Sequence, residues 1–171
     1  AEAISAENWQ GKSYSAANKV NIADYFEENT QYHYQYTDNY TGDDSIWSAE
    51  YDYTTKATDK FSVILTGDPQ VGASGSSSDK SANDASVTRD AYNWNKTMQQ
   101  ALKTCPDASF LLSAGDQINQ SGAAKDDDKK TRESEYAGYL YPSVFRSLPI
   151  AATIGNHDMA GADYSAHFNN P

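Results

Sequence analysis

Three short apolar runs in this sequence end in the same way, with a glycine followed by a polar oxygen donor. The runs read FSVILTGD at residues 61–68, SFLLSAGD at 109–116 and PIAATIGNHD at 149–158. Apolar runs without polar alternation are typical of strands buried on both faces of a parallel sheet. Glycine permits a sharp turn, so each run presents its donor at the carboxyl end of a strand. We therefore expect Asp68, Asp116 and Asn156 to converge at one edge of a three-stranded sheet.

The segments between these runs favour helices. Five apolar residues form one stripe at helical spacing and predict a helix that packs on the sheet: Trp94, Met98, Ala101, Leu102 and Cys105. Thr88 or Asp90 is the expected cap at its start, and Pro106 is expected to end it. Residues 125–130 read KDDDKK and predict a solvated loop, and residues 135–147 favour helix up to Pro142. This alternation of strands and helices predicts right-handed crossovers and a parallel sheet.

The first third of the chain carries a different pattern. Tyrosines alternate with polar residues on both sides of an Asn/Gly/Asp-rich turn: Tyr32, Tyr34 and Tyr36 before it, and Tyr51 and Tyr53 after it. Alternation of period two around such a turn predicts an antiparallel hairpin with one buried aromatic face. His33 falls on the polar face of this hairpin, so we expect a surface residue there rather than a metal ligand.

The composition limits the kinds of molecule that the protein can bind and indicates where it is located. The 171 residues carry a formal net charge of −11, which argues against a nucleic-acid partner. No apolar run approaches the length of a membrane span. The single cysteine, Cys105, excludes an internal disulfide. An acidic, tyrosine-rich and cysteine-poor composition favours a secreted protein or a protein of the bacterial cell surface.

Carboxylates and an amide at one sheet edge are suited to metal ions that prefer oxygen ligands. Asp116, on the middle strand, is the natural bridge between two metals, with Asp68 serving one metal and Asn156 the other. Such a pair can activate a water and hold phosphoryl oxygens, as phosphate-ester hydrolysis requires. His157 follows a ligand directly and can face the substrate as a charge stabiliser or proton donor. Asp158 is then expected to orient its ring.

In order along the chain, GDPQ, GDQIN and GNHD resemble the first three motifs of the calcineurin-like metallophosphoesterases. With a fibronectin-like segment in front, the chain looks most like bacterial proteins related to purple acid phosphatases. The resemblance implies an α/β metallophosphatase-type sandwich that binds two divalent or trivalent ions such as Fe, Mn or Zn. Its metal ligands would be Asp68, Asp116 and Asn156, and His157 its catalytic histidine. Gln70 stands where many members have a histidine ligand, and we expect it to be a fourth, weaker donor to the metals.

Domain organisation follows from the same resemblance. Residues 1–57 look like the C-terminal strands of a fibronectin type III-like β-sandwich, with Tyr32 at the position of the corner tyrosine. Residues 58–171 correspond to the first half of the metallophosphoesterase domain. We expect the piece alone to be inactive and the rest of the catalytic domain to lie in the same or a companion chain. A non-catalytic binding or surface module on this scaffold is the alternative, and a structural β-sandwich spacer is a third class.

Overall fold

The computed structural model describes residues 22–37, 41, 45–75 and 82–168, together with two short strands near the N-terminus. The strands are β1 (Ile4–Ser5), β2 (Asn18–Lys19), β3 (Gln31–Tyr34), β4 (Tyr51–Thr54), β5 (Ser62–Thr66), β6 (Ala108–Ser113) and β7 (Ile150–Ala152). The helices are α1 (Ala82–Thr104), α2 (Asp126–Leu140) and α3 (Asp163–His167). Three 3-10 helices accompany them, at Ala23–Tyr25, Ser143–Arg146 and Asp158–Ala160.

The three apolar runs form the parallel sheet that the sequence predicts. Its strand order is β5-β6-β7, so the strand that leads to Asp116 lies in the middle. Leu111 pairs with Ile64 on one side and with Ile150 on the other. The carboxyl ends of all three strands therefore meet at one edge, as expected.

Helices cover one face of this sheet. Met98 of α1 and Tyr136 and Tyr139 of α2 are buried in the same apolar cluster as Leu111. The predicted stripe on α1 is confirmed, and the helix ends at Thr104, ahead of Pro106. The strand order β5-β6-β7 advances in one direction, with α1 connecting the first pair of strands and α2 the second. Two right-handed crossovers in this order place both helices on the same face of the sheet. The expectation of strands buried on both faces is therefore wrong for β5, where Leu65 on the opposite face is 68 % exposed.

Two helix boundaries differ from the predictions. Helix α1 begins at Ala82, so neither Thr88 nor Asp90 caps it. The carboxylate of Asp90 instead accepts hydrogen bonds from the backbone N–H groups of Gly72 (3.0 Å) and Ser74 (3.1 Å). The KDDDKK segment is not a loop, because Lys125 is the N-cap residue of α2 and residues 126–130 form the start of the helix. Three consecutive aspartates are stabilised there by the positive end of the helix dipole, and Asp128 also accepts a hydrogen bond from the backbone of Lys125.

The antiparallel tyrosine hairpin is confirmed, but its aromatic face is half-buried, and Tyr36 lies beyond β3 and is 59 % exposed. Strands β3 and β4 are antiparallel and pair Tyr32 with Tyr53 and Tyr34 with Tyr51. The Tyr32 hydroxyl accepts a hydrogen bond from the N–H of Glu27 (2.7 Å) and donates a longer one to the Tyr25 carbonyl (3.4 Å). Such a bond from a tyrosine hydroxyl to upstream backbone is what a tyrosine corner makes. Most of residues 1–21 lie outside the described residues, so the rest of a β-sandwich stays a prediction.

Candidate active site

Three residues at the carboxyl edge of the sheet adopt left-handed backbone conformations that side chains other than glycine rarely take. They are Asp68 (φ 49°), Gln70 (φ 37°) and Asp116 (φ 49°). Such conformations cost free energy and persist where the surroundings impose them, which is frequently at functional sites. All three belong to the residues that the sequence predicts as metal ligands.

Backbone hydrogen bonds join the loops that follow β5 and β6. The N–H of Gln70 donates to the Asp116 carbonyl (3.0 Å), and the N–H of Val71 donates to the Gln117 carbonyl (3.1 Å). Val71 and Ile118 then form a further parallel bridge, and both side chains are fully buried. The two loops are thus held in register beyond the ends of their strands.

Two glycines bring the loops after β6 and β7 into direct contact. A Cβ atom on Gly155 would lie 2.0 Å from Oδ1 of Asp116, and a Cβ on Gly115 would lie 2.9 Å from the Cα of Gly155. Gly115 also has φ +90°, which disfavours any side chain. In this arrangement the N–H of His157 donates to Oδ1 of Asp116 at 2.9 Å. Gly115 and Gly155 are therefore required for the close packing of these two loops.

The imidazole of His157 is held by a backbone carbonyl. Its Nδ1 lies 2.5 Å from the carbonyl oxygen of Asn119. A carbonyl only accepts hydrogen bonds, so Nδ1 carries a proton. The other ring nitrogen, Nε2, has no hydrogen-bond partner among the described residues. The ring is half-buried, which leaves this edge of the imidazole accessible.

Asp158 does not take the expected place beside this ring. A 3-10 helix begins at Asp158, so its side chain diverges from that of His157 and enters the interior. There it accepts hydrogen bonds from the N–H of Gly155 (2.9 Å) and the hydroxyl of Tyr136 (3.0 Å). Burial raises the pKa of Asp158, against the opposing effect of these hydrogen bonds. Asp158 therefore braces the loop and does not orient the imidazole.

A buried arginine, which sequence reasoning missed, ties two of the loops to the helices. Arg132 forms a bidentate ion pair with Asp163, with N–O distances of 2.5 and 2.9 Å. It also donates to the carbonyls of Gln120 (2.6 Å), His157 (2.7 Å) and Asp158 (2.7 Å). A guanidinium has five N–H donors, so all are used. Burial acts to lower the pKa of Arg132, but the hydrogen bonds and charge of Asp163 outweigh it and the pKa is raised.

Glu135, one helical turn further along α2, is the second residue that sequence reasoning missed. Its Oε2 accepts hydrogen bonds from the N–H groups of Asn119 (3.0 Å) and Gln120 (2.7 Å). Burial raises its pKa to about 7, although both hydrogen bonds and the charges of Arg132 and His157 oppose the rise. A signal was present in the sequence, because Arg132 and Glu135 share a helix face with Tyr136 and Tyr139.

Not all predicted ligands are in mutual contact. The amide nitrogen of Gln70 lies 3.4 Å from Oδ2 of Asp116, a long hydrogen bond. Asn156 stands between Gly155 and His157, which both contact Asp116. The side chains of Asp68 and Asn156 are exposed and have no hydrogen-bond partner among the described residues. The structure thus brings Gln70, Asp116 and His157 together and leaves two oxygen donors open to solvent at the same edge.

The donor set at this edge fits a metal that prefers oxygen ligands. Two carboxylates and two side-chain amides contribute: Asp68, Asp116, Gln70 and Asn156. Oδ2 of Asp116 makes only the long contact with Gln70, so it retains lone pairs for a cation. These ligand types suit Mg, Mn and related hard or borderline ions.

A second group of ligand-type side chains lies on the hairpin. Nδ1 of His33 is 2.7 Å from Oδ1 of Asp52 and 3.6 Å from Oε1 of Glu50. All three side chains are more than half exposed, which confirms that His33 lies on the outer face. Exposed groups of this kind are common without an ion, so this cluster does not indicate a bound metal.

Comparisons with known proteins leave the family open. No family model matches the chain, and neither the curated proteins nor the solved structures contain a significant match. Among the described residues, no helix has both the length and the apolar character that crossing a membrane requires.

Proposed function

We propose that this chain contributes the active-site edge of a phosphoesterase that uses two metal ions. One observation carries the proposal. Asp116 lies at the centre of three adjacent strand ends, in hydrogen-bond contact with the Gln70 amide on one side and the His157 backbone on the other. A carboxylate in this position is suited to bridge two cations.

Each donor has a distinct role in this proposal. Asp68, Gln70, Asp116 and Asn156 would hold the metals, which when bound would activate a water and neutralise phosphoryl oxygens. Each metal takes about four to six ligands. Four donors are too few for two metals, so we propose that the rest of the catalytic domain, in the same or a companion chain, completes the set.

His157 would act on the substrate through Nε2. Because Nδ1 donates to the Asn119 carbonyl, Nε2 is left to contact a phosphoryl or leaving-group oxygen. In its protonated form the ring can donate a proton to the leaving group, and it can stabilise negative charge there. The net charge of −11 favours small phosphate esters over nucleic acids as substrates. The acidic, cysteine-poor composition supports a secreted or bacterial surface location.

Substituting Asp116→Asn tests this function. In the full-length protein we expect the exchange to remove most hydrolysis of nitrophenyl phosphate, because a bridging anion becomes a neutral donor to one metal. A loss of about a hundredfold or more is the expected scale for a group that stabilises transition-state charge. His33→Ala is the matched control and should leave turnover unchanged. Near-normal turnover in the Asp116 variant would contradict the proposed metal centre.

A binding module on the same scaffold is the second candidate, and one observation favours it. An apolar cavity of about 340 Å³ lies between the hairpin and the segment that precedes β7, with Phe26, Tyr32, Tyr53 and Leu148 in its wall. Cavities of this size and character bind small molecules in many proteins. If this candidate is correct, the full-length protein will not hydrolyse phosphate esters under any metal condition.

A further inference from the structure

Glu135 has no place in the function proposed above, yet it is a buried carboxylate next to the candidate catalytic histidine. It is 2 % exposed, and its Oε2 accepts hydrogen bonds from two consecutive backbone N–H groups, those of Asn119 and Gln120. A carboxylate loses favourable hydration on burial, so it is retained where its hydrogen bonds or its charge serve a purpose. The other contacts of Asn119 and Gln120 indicate the purpose that Glu135 serves.

One planar peptide group connects Glu135 to His157. The N–H of Gln120 and the carbonyl of Asn119 are opposite ends of the same amide. Glu135 accepts from the N–H end at 2.7 Å, and Nδ1 of His157 donates to the carbonyl end at 2.5 Å. Hydrogen bonds in such a chain polarise one another, so a negative carboxylate at one end strengthens the acceptor at the other.

Neighbouring groups hold this arrangement in place. Gly72 has φ +106°, and a Cβ there would lie 2.2 Å from Oε1 of Glu135, so the loop after β5 closes directly on the carboxylate. In the peptide group that follows, the carbonyl of Gln120 accepts a hydrogen bond from Arg132 at 2.6 Å. Side chains of α2 therefore hold the amide between Asn119 and Gln120, through Glu135, and the peptide group after it, through Arg132.

We propose that Glu135 is a positioning residue for His157, which it holds in the Nδ1–H tautomer through the amide between Asn119 and Gln120. The catalytic value of this tautomer rests on the proposed function, since a proton fixed at Nδ1 leaves Nε2 as the nitrogen that takes up a second proton and donates it to the leaving group. The tautomer itself depends on neither metal nor substrate and can be measured without them.

Nitrogen-15 NMR of the histidine side chains tests the proposal. The chain has three histidines, so their ring signals can be assigned individually. At about pH 8.5, we expect His157 of the wild type to show a protonated Nδ1 and a bare Nε2, because Nδ1 faces the Asn119 carbonyl. We expect Glu135→Gln to lower the ratio of the Nδ1–H to the Nε2–H tautomer by about fivefold, since a neutral acceptor replaces an ionised one.

The chain offers a matched control on the same helix. Glu133 accepts from Nε2 of His167 at 3.2 Å, so Glu133→Gln should shift the signals of His167 and leave His157 unchanged. Should Glu135→Gln fail to fold, the wild-type spectrum still decides, because an Nε2–H tautomer at His157 would overturn the proposal. A folded Glu135→Gln variant with an unchanged His157 tautomer would overturn it as well. If Glu135→Gln leaves the His157 tautomer unchanged while Asp116→Asn loses turnover, the positioning role of Glu135 is overturned and the proposed function is not.

Discussion

His157 and His33 both lie next to oxygen atoms that can bind a proton or a metal, but they differ in what surrounds them. His33 stands on the outer face of a hairpin, with Asp52 and Glu50 beside it and solvent around all three. His157 is fixed by its own N–H on Asp116, by the Asn119 carbonyl on its ring and by Arg132 on its backbone oxygen. The two histidines have similar neighbouring atom types, so the difference between them lies in the close backbone packing and the buried supporting charges around His157.

Removing Arg132, which holds the loops at the sheet edge, should have the largest effect on stability. Arg132→Ala deletes five hydrogen bonds and leaves Asp163 as an unpaired buried charge. We expect the free energy of unfolding to fall by about 3–5 kcal/mol, measured by urea denaturation. His33→Ala removes only exposed contacts and should change it by less than about 0.5 kcal/mol. Equal effects of the two variants would remove the distinction between the regions.

The pH dependence of stability should also separate the regions. The pKa of Glu135 is raised from 4.5 to about 7 by burial, so the folded state binds a proton that the unfolded state has released. The stabilisation is therefore complete below pH 4.5 and is lost as pH rises through about 7. We expect urea denaturation of the wild type to show a loss of about 2–3 kcal/mol from this group over that range.

Glu135→Gln cannot ionise and is the control for this loss. The difference in unfolding free energy between wild type and variant should change with pH in the stated direction. Parallel pH profiles for the two proteins would show that Glu135 does not titrate in this range.

Two glycines of the sheet edge allow a matched test of close packing. In Gly155→Ala the new Cβ would overlap Asp116, so we expect a loss of about 1–3 kcal/mol and a fall in any phosphatase activity. Gly67→Ala is the control, because its Cβ would meet only the Cβ of Ala114, at an ordinary 3.8 Å. Thermal unfolding and turnover of the two variants give the comparison. Tolerance of both substitutions would mean that the loops can separate without consequence.

Local patterns in the sequence were enough to predict the sheet, the hairpin and the central position of Asp116. They depend on residues within one element, such as the apolar run that ends in Gly115 and Asp116. The support of the site could not be predicted in this way, because it depends on contacts across the fold. Arg132 and Asp163 are 31 residues apart, and the charged residues next to Arg132 in the sequence favoured a solvated segment. The direction of Asp158 depends on a single 3-10 turn that leaves no periodic signal.

Line broadening by Mn²⁺ tests the proposed metal centre most directly, because both histidines report in one spectrum. As Mn²⁺ is added, we expect the ring signals of His157 to broaden before those of His33, and Asp116→Asn to abolish the effect at His157. Paramagnetic broadening falls steeply with distance, so it identifies which cluster holds the ion. Broadening of His33 first, with His157 unaffected by excess Mn²⁺, would contradict a metal centre at the sheet edge.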